Sequence, residues 1–78
     1  MVRKPLPPRY SRHFVRQWRI KRDMTLEELA ERIGRKHSTV QRIETRQIAL
    51  TQPVLDDMAV ALKTSRGKLL DEPPGVDD

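Results

Sequence analysis

Thr25-Leu26-Glu27-Glu28-Leu29-Ala30-Glu31-Arg32-Ile33-Gly34-Arg35-Lys36-His37-Ser38-Thr39-Val40-Gln41-Arg42-Ile43-Glu44 contains two short helical patterns joined at one glycine. Leu26, Leu29, Ala30 and Ile33 fall at i, i+3, i+4 and i+7, which gathers them into one apolar stripe that must face a core. Thr25 with Glu28 three residues on predicts a capping box, and Met24 and Leu29 occupy the two positions of a hydrophobic staple. Gly34, directly after the last apolar residue, supplies the left-handed conformation that ends a helix and redirects the chain. A second helix is expected from about His37, with Val40 and Ile43 inward and His37, Ser38, Gln41 and Arg42 outward, Thr39 beside them. Any two-helix corner turns polar residues to water. Here the small Ala30 permits a close crossing and the turn is only a few residues long, the spacing of a helix pair that reads DNA.

Outward from this pair, Pro5, Pro7 and Pro8 favour an extended arm over residues 1–10. Ser11 can cap a first helix over about 11–22, with Phe14, Val15 and Trp18 inward. Trp18 lies one turn from Phe14, so core packing outweighs base stacking as its role. A connection from Arg46 to Gln52 leads to a fourth helix from about Pro53 to Lys63, with Leu55, Met58, Ala59 and Leu62 inward, and a short fifth helix follows Ser65. The organisation expected is an arm at 1–10, one domain at 11–70 and a disordered acidic tail at 71–78 that contains Pro73, Pro74 and Gly75.

Charge is unevenly distributed. Residues 1–46 carry 13 Lys/Arg against 5 Asp/Glu, whereas residues 47–78 carry 3 against 6, and no acidic residue precedes Asp23. A basic half that coincides with the helix pair attracts a polyanion. Arg3, Lys4 and Arg9 on the arm, with Lys36 beside the second helix, are candidates for phosphate contact. The chain has no cysteine, which excludes disulfides and thiolate sites, and no apolar run long enough for a membrane span or signal peptide, consistent with a cytoplasmic setting. His13 and His37 have no companion at metal-ligand spacing, which argues against zinc, and no cofactor is implied. A nucleophile with its base is missing, and Glu27, Glu28 and Glu31 read as a solvated helix face, so no enzyme is expected.

Three motifs carry a wider resemblance: Thr25-x-x-Glu28-Leu29-Ala30-x-x-Ile33-Gly34, then Thr39-Val40-x-x-Ile43-Glu44, then Leu55-x-x-Met58-Ala59-x-Ala61-Leu62-x-x-Ser65-x-x-x-Leu69-Leu70. Over about residues 12–70 the chain resembles the XRE family of helix-turn-helix proteins, the lambdoid phage Cro and repressor type. The resemblance implies an all-α fold, a compact five-helix lambda-repressor-like domain with a central helix-turn-helix. It implies that Arg19 of the first helix meets Glu44 at the end of the reading helix. It also implies homodimerisation through the fifth helix and the loop before the fourth, which nominates Ile48, Leu50, Leu69 and Leu70 with Arg66 and Lys68 nearby. Leu26 departs from a glutamine common in the family. Arg35 and Lys36 replace an apolar and Ser/Thr pair, leaving Ser38, with Gln41 three on, as a competing cap, and Arg46 stands where a helix-ending glycine is common.

In the mechanism expected, the helix from His37 enters the major groove of double-stranded DNA. Arg42 donates two hydrogen bonds to guanine, and Ser38 and Gln41 serve bases or phosphates. His37 and Thr39, nearer the helix N-terminus, reach an outer base or the backbone. Thr45, Arg46, Gln47 and the loop through Gln52 position the protein on phosphate. A bacterial or phage repressor acting as a homodimer is the first expectation. The competing one is an antitoxin-type module that neutralises a toxin and autoregulates its operon. Binding to polymerase, or of RNA by the arm, stays open.

Overall fold

The computed structural model describes residues 9–10 and 12–75. The elements in chain order are β1 (Arg9–Tyr10), α1 (Val15–Lys21), α2 (Leu26–Ile33), α3 (His37–Glu44), β2 (Leu50–Thr51), α4 (Gln52–Ala61) and α5 (Arg66–Asp71). Five helices thus make up the all-α fold expected, with one two-residue ladder added to them.

Local chemistry starts the helices. Glu28 N–H donates to Thr25 Oγ1 at 3.1 Å and Thr25 N–H donates to Glu28 Oε1 at 3.2 Å, so the capping box opens α2. α3 begins at His37 behind Lys36, whose side chain makes no cap bond. Ser38 therefore sits inside the first turn and is not the cap that its spacing to Gln41 suggested. α1 is shorter than the expected 11–22. Its N-cap is Phe14, whose N–H donates to the Leu69 carbonyl at 2.7 Å, and the residues before it run without helical bonds; Ser11 lies outside the described residues.

Four helices end by one device. After α1, α2, α3 and α4 a residue of positive φ turns the chain, and the next N–H reaches back to a carbonyl of the last turn: Met24 to Arg19, Arg35 to Ala30, Gln47 to Arg42 and Thr64 to Ala59. Gly34 fills that position without strain at φ 68°, but the other three are Asp23, Arg46 and Lys63. Left-handed backbone costs a residue with a Cβ about 1–2 kcal/mol. This turn also explains why α4 stops at Ala61 rather than running on to Lys63. Lys63→Gly should therefore raise stability by about 0.5–1 kcal/mol, the relief of strain less the greater backbone entropy of glycine. A melting temperature several degrees higher is the expected reading, and an unchanged or lower one contradicts the strain.

The core lies where α2 packs on α3 and α4, and α4 on α5. Trp18, Leu29, Val40, Leu55, Met58 and Leu62 are fully buried within it. Trp18 also donates its indole N–H to the Glu72 carbonyl at 2.9 Å, which confirms a packing role and ties the chain beyond α5 to α1. That bond, and the extension of α5 to Asp71, carry ordered structure into the segment expected as tail. At the other end, Arg9 and Tyr10 are not a free arm. They pair antiparallel with Thr51 and Leu50.

Candidate nucleic-acid interface

α3 is amphipathic along its whole length. Val40 and Ile43 are buried, His37, Gln41 and Arg42 are exposed, and Ser38 and Thr39 are half-buried at the margin. No acidic residue occupies its first turn, and Lys36 precedes it, so the positive end of the helix dipole is uncompensated by local charge. The structure thus brings the six residues Lys36, His37, Ser38, Thr39, Gln41 and Arg42 onto one helix and its entry.

The far end of α3 is held rigidly. Arg19 Nε donates to Glu44 Oε2 at 2.7 Å, Nη2 donates to Glu44 Oε1 at 3.1 Å, and Nη1 donates to the Met24 carbonyl at 2.7 Å. The two side chains are 13% and 5% exposed. One guanidinium therefore joins α1, the entry to α2 and the end of α3. A bidentate fork of this kind sets orientation as well as distance.

His13 joins this region unannounced by any periodicity. It is buried in the stretch between β1 and α1, and neither ring nitrogen has a hydrogen-bond partner among the described residues. Burial holds its pKa below the ordinary histidine value of 6.5, and the Arg46 charge acts in the same direction; the neighbouring Ile43 carbonyl and Glu44 carboxylate oppose them more weakly. The unfolded chain therefore binds this proton more readily than the folded one. The stability contributed by a neutral His13 is present above about pH 6.5 and is lost as pH falls through the lowered folded value. The urea midpoint should decline on acidification from about pH 6.5 to 5, before most carboxylates titrate. His13→Gln should flatten that decline, and parallel profiles for the two proteins would remove His13 as its cause.

Beyond α3, Arg46 and Gln47 are exposed on the left-handed turn, while the Thr45 hydroxyl donates back to the Gln41 carbonyl at 2.9 Å. Gln52 is engaged internally at both ends of its side-chain amide, with Tyr10 and with Asp56; the phosphate contact expected of the loop through Gln52 is one of backbone amides. Arg9 lies in β1, and Arg3 and Lys4 fall outside the described residues.

The expected dimer face needs a correction. Leu50 and Leu69 are fully buried within the single chain, because a domain this small draws its few large apolar side chains inward first. Ile48 remains 41% exposed and Leu70 half-buried. Arg66 and Lys68 are exposed, and Arg66 bonds Asp56 across 3.2 Å.

Among the described residues, no cluster of His, Cys, Asp or Glu could hold a metal ion, and no helix is long and apolar enough to cross a membrane. Residues 12–72 match the family model described as helix-turn-helix domain. The comparison with curated proteins finds no match.

Proposed function

The chain belongs to the helix-turn-helix domain family, and from that premise we propose that it is a sequence-specific regulator of transcription of the Cro and repressor type, acting as a homodimer on an inverted repeat in double-stranded DNA. One observation carries this reading: α3 turns His37, Gln41 and Arg42 to solvent while Val40 and Ile43 lock its opposite face into the core and Arg19 fixes its end. A rigid helix with hydrogen-bonding tips at one-turn spacing is what major-groove reading requires. Arg42 and Gln41 read base edges, and His37 and Ser38 reach an outer base or phosphate near the helix N-terminus. Lys36, Thr39, Thr45, Arg46 and Gln47 contact the backbone. Ile48, Leu70, Arg66 and Lys68 form the contact between copies. Repression follows from occupancy, since a small protein on a promoter blocks polymerase without further parts.

Selection of bound duplexes from a random pool tests the reading. Recovery of an inverted repeat with half-sites about one helical turn apart supports it. Equal affinity for unrelated duplexes, or for RNA at matched salt, sinks it, and a co-purifying protein with no DNA preference points instead to the antitoxin-type module.

The basic segment ahead of β1 adds affinity without specificity in this reading. Deleting residues 2–8 removes Arg3 and Lys4 and keeps the β1 ladder. Each phosphate that is no longer neutralised should make the dependence of log affinity on log salt shallower by about one unit, so a change of roughly four, two from each copy of the homodimer, is expected with the ranking of operators preserved. An unchanged slope would show that these residues do not touch DNA.

A further inference from the structure

The family match begins at residue 12, yet the fold continues ahead of it. Tyr10 and Leu50 face each other in the antiparallel ladder, and Tyr10 packs half-buried against the core. Its hydroxyl lies 2.8 Å from Gln52 Oε1, Gln52 Nε2 lies 3.0 Å from Asp56 Oδ1, and Arg66 Nη1 reaches the same Asp56 oxygen at 3.2 Å. The direction of these bonds follows from chemistry. An ionised Asp56 only accepts, so the amide of Gln52 must turn its NH2 toward Asp56 and its oxygen toward Tyr10, and the phenol must donate. The orientation of Gln52 is thereby set from both sides.

The loop between α3 and β2, residues 45–49, is anchored at two places. At its start the Gln47 N–H holds the Arg42 carbonyl at 2.8 Å. At its end β2 is held by β1, and Gln52, the next residue, by the Tyr10 hydroxyl. This is the loop whose Arg46 and Gln47 stand exposed beside the end of α3.

We propose that Tyr10 is a positioning residue of the nucleic-acid interface: through the β1–β2 ladder and its hydroxyl on Gln52, it sets the 45–49 loop for contact with phosphate. The inference rests on the DNA-binding reading above. It adds to the helix-turn-helix core a clasp, one side of which, Arg9 and Tyr10, lies ahead of the family match, that works without touching DNA.

The test uses the whole chain and the duplex recovered by selection. Tyr10→Phe keeps the ring and its packing and removes only the donor. Amide exchange, measured without DNA, should quicken at residues 48–51 in this variant, and also in Gln52→Leu, which cuts the same bond from the other side. Affinity for the duplex should fall about three- to tenfold, the scale of one hydrogen bond, with the ranking of operators unchanged. Combined with Gln47→Ala, Tyr10→Phe should add little further loss, because both act through the loop. Combined with Arg42→Ala, the two losses should multiply. Unchanged exchange and affinity in both single variants overturn the clasp, and so does multiplication of the losses with Gln47→Ala, because a merely structural role would weaken every contact alike. Either result leaves DNA binding intact. A wild-type chain that binds no duplex at all overturns the underlying reading, and this inference with it.

Discussion

Glu44→Ala lowers the free energy of unfolding by about 3–5 kcal/mol, the scale found when one partner of a buried ion pair is removed. Domains of this length have only about 4–12 kcal/mol in total, so the variant lies close to unfolding. The cost arises on the Arg19 side. Its side chain is 13% exposed, and with Glu44 gone it keeps, among the described residues, only the Met24 carbonyl as a hydrogen-bond partner, on Nη1. Arg19→Ala leaves the opposite problem, a carboxylate that is 5% exposed with its two short bonds removed. Because each single change strands the other charge, the double variant should be far less destabilised than the sum of the two. Arg19→Lys should recover only part of the loss, since an ammonium cannot bridge both carboxylate oxygens and the Met24 carbonyl in one plane. Urea unfolding at neutral pH gives all four values, and additive losses would deny the pair any coupling. The functional consequence is positional: the pair fixes the end of α3, so variants that stay folded should lose DNA affinity through a loosened reading helix.

How much of this was legible in the sequence depends on how far apart the interacting groups lie. The start of α2 is written in two residues three apart, Thr25 and Glu28, and its end in Gly34, so its bounds follow from local chemistry. The faces of α3 follow likewise from the spacing of Val40 and Ile43. Arg19 and Glu44 are 25 residues apart, and only the family resemblance brought them together. The ladder of β1 and β2 is two residues long on each side, too short for any alternation to register, and Tyr10 is separated from Gln52 by 42 residues. The left-handed ends at Asp23, Arg46 and Lys63 carry no glycine to announce them. Leu50 and Leu69 show the limit of pattern in another way. An apolar residue on a short element looks the same whether it closes its own core or meets a second copy, and only packing decides. His13 sits ahead of α1, where no helical period could mark it as buried.

Arg42→Ala should cost about 1–3 kcal/mol for each bidentate contact to guanine that it removes, or roughly five- to more than a hundredfold in affinity per half-site. In a homodimer the loss counts twice. The variant separates chemistry from fold because Arg42 is exposed on α3 and its side chain makes no hydrogen bond or ion pair with the described residues. Its backbone carbonyl, which receives the Gln47 N–H, is retained by alanine, a good helix former, so the turn after α3 keeps its closure. The melting temperature should therefore stay near that of the wild type while operator binding collapses. Specificity gives the sharper measurement. Each base pair of the half-site is varied in turn, and preference at one position should disappear in Arg42→Ala while the others keep their order. Binding to random duplexes should weaken far less, because non-specific affinity comes from the whole set of phosphate contacts. Equal weakening on operator and random DNA would place the Arg42 guanidinium on phosphate and leave Gln41, His37 and Ser38 as the remaining base readers of α3.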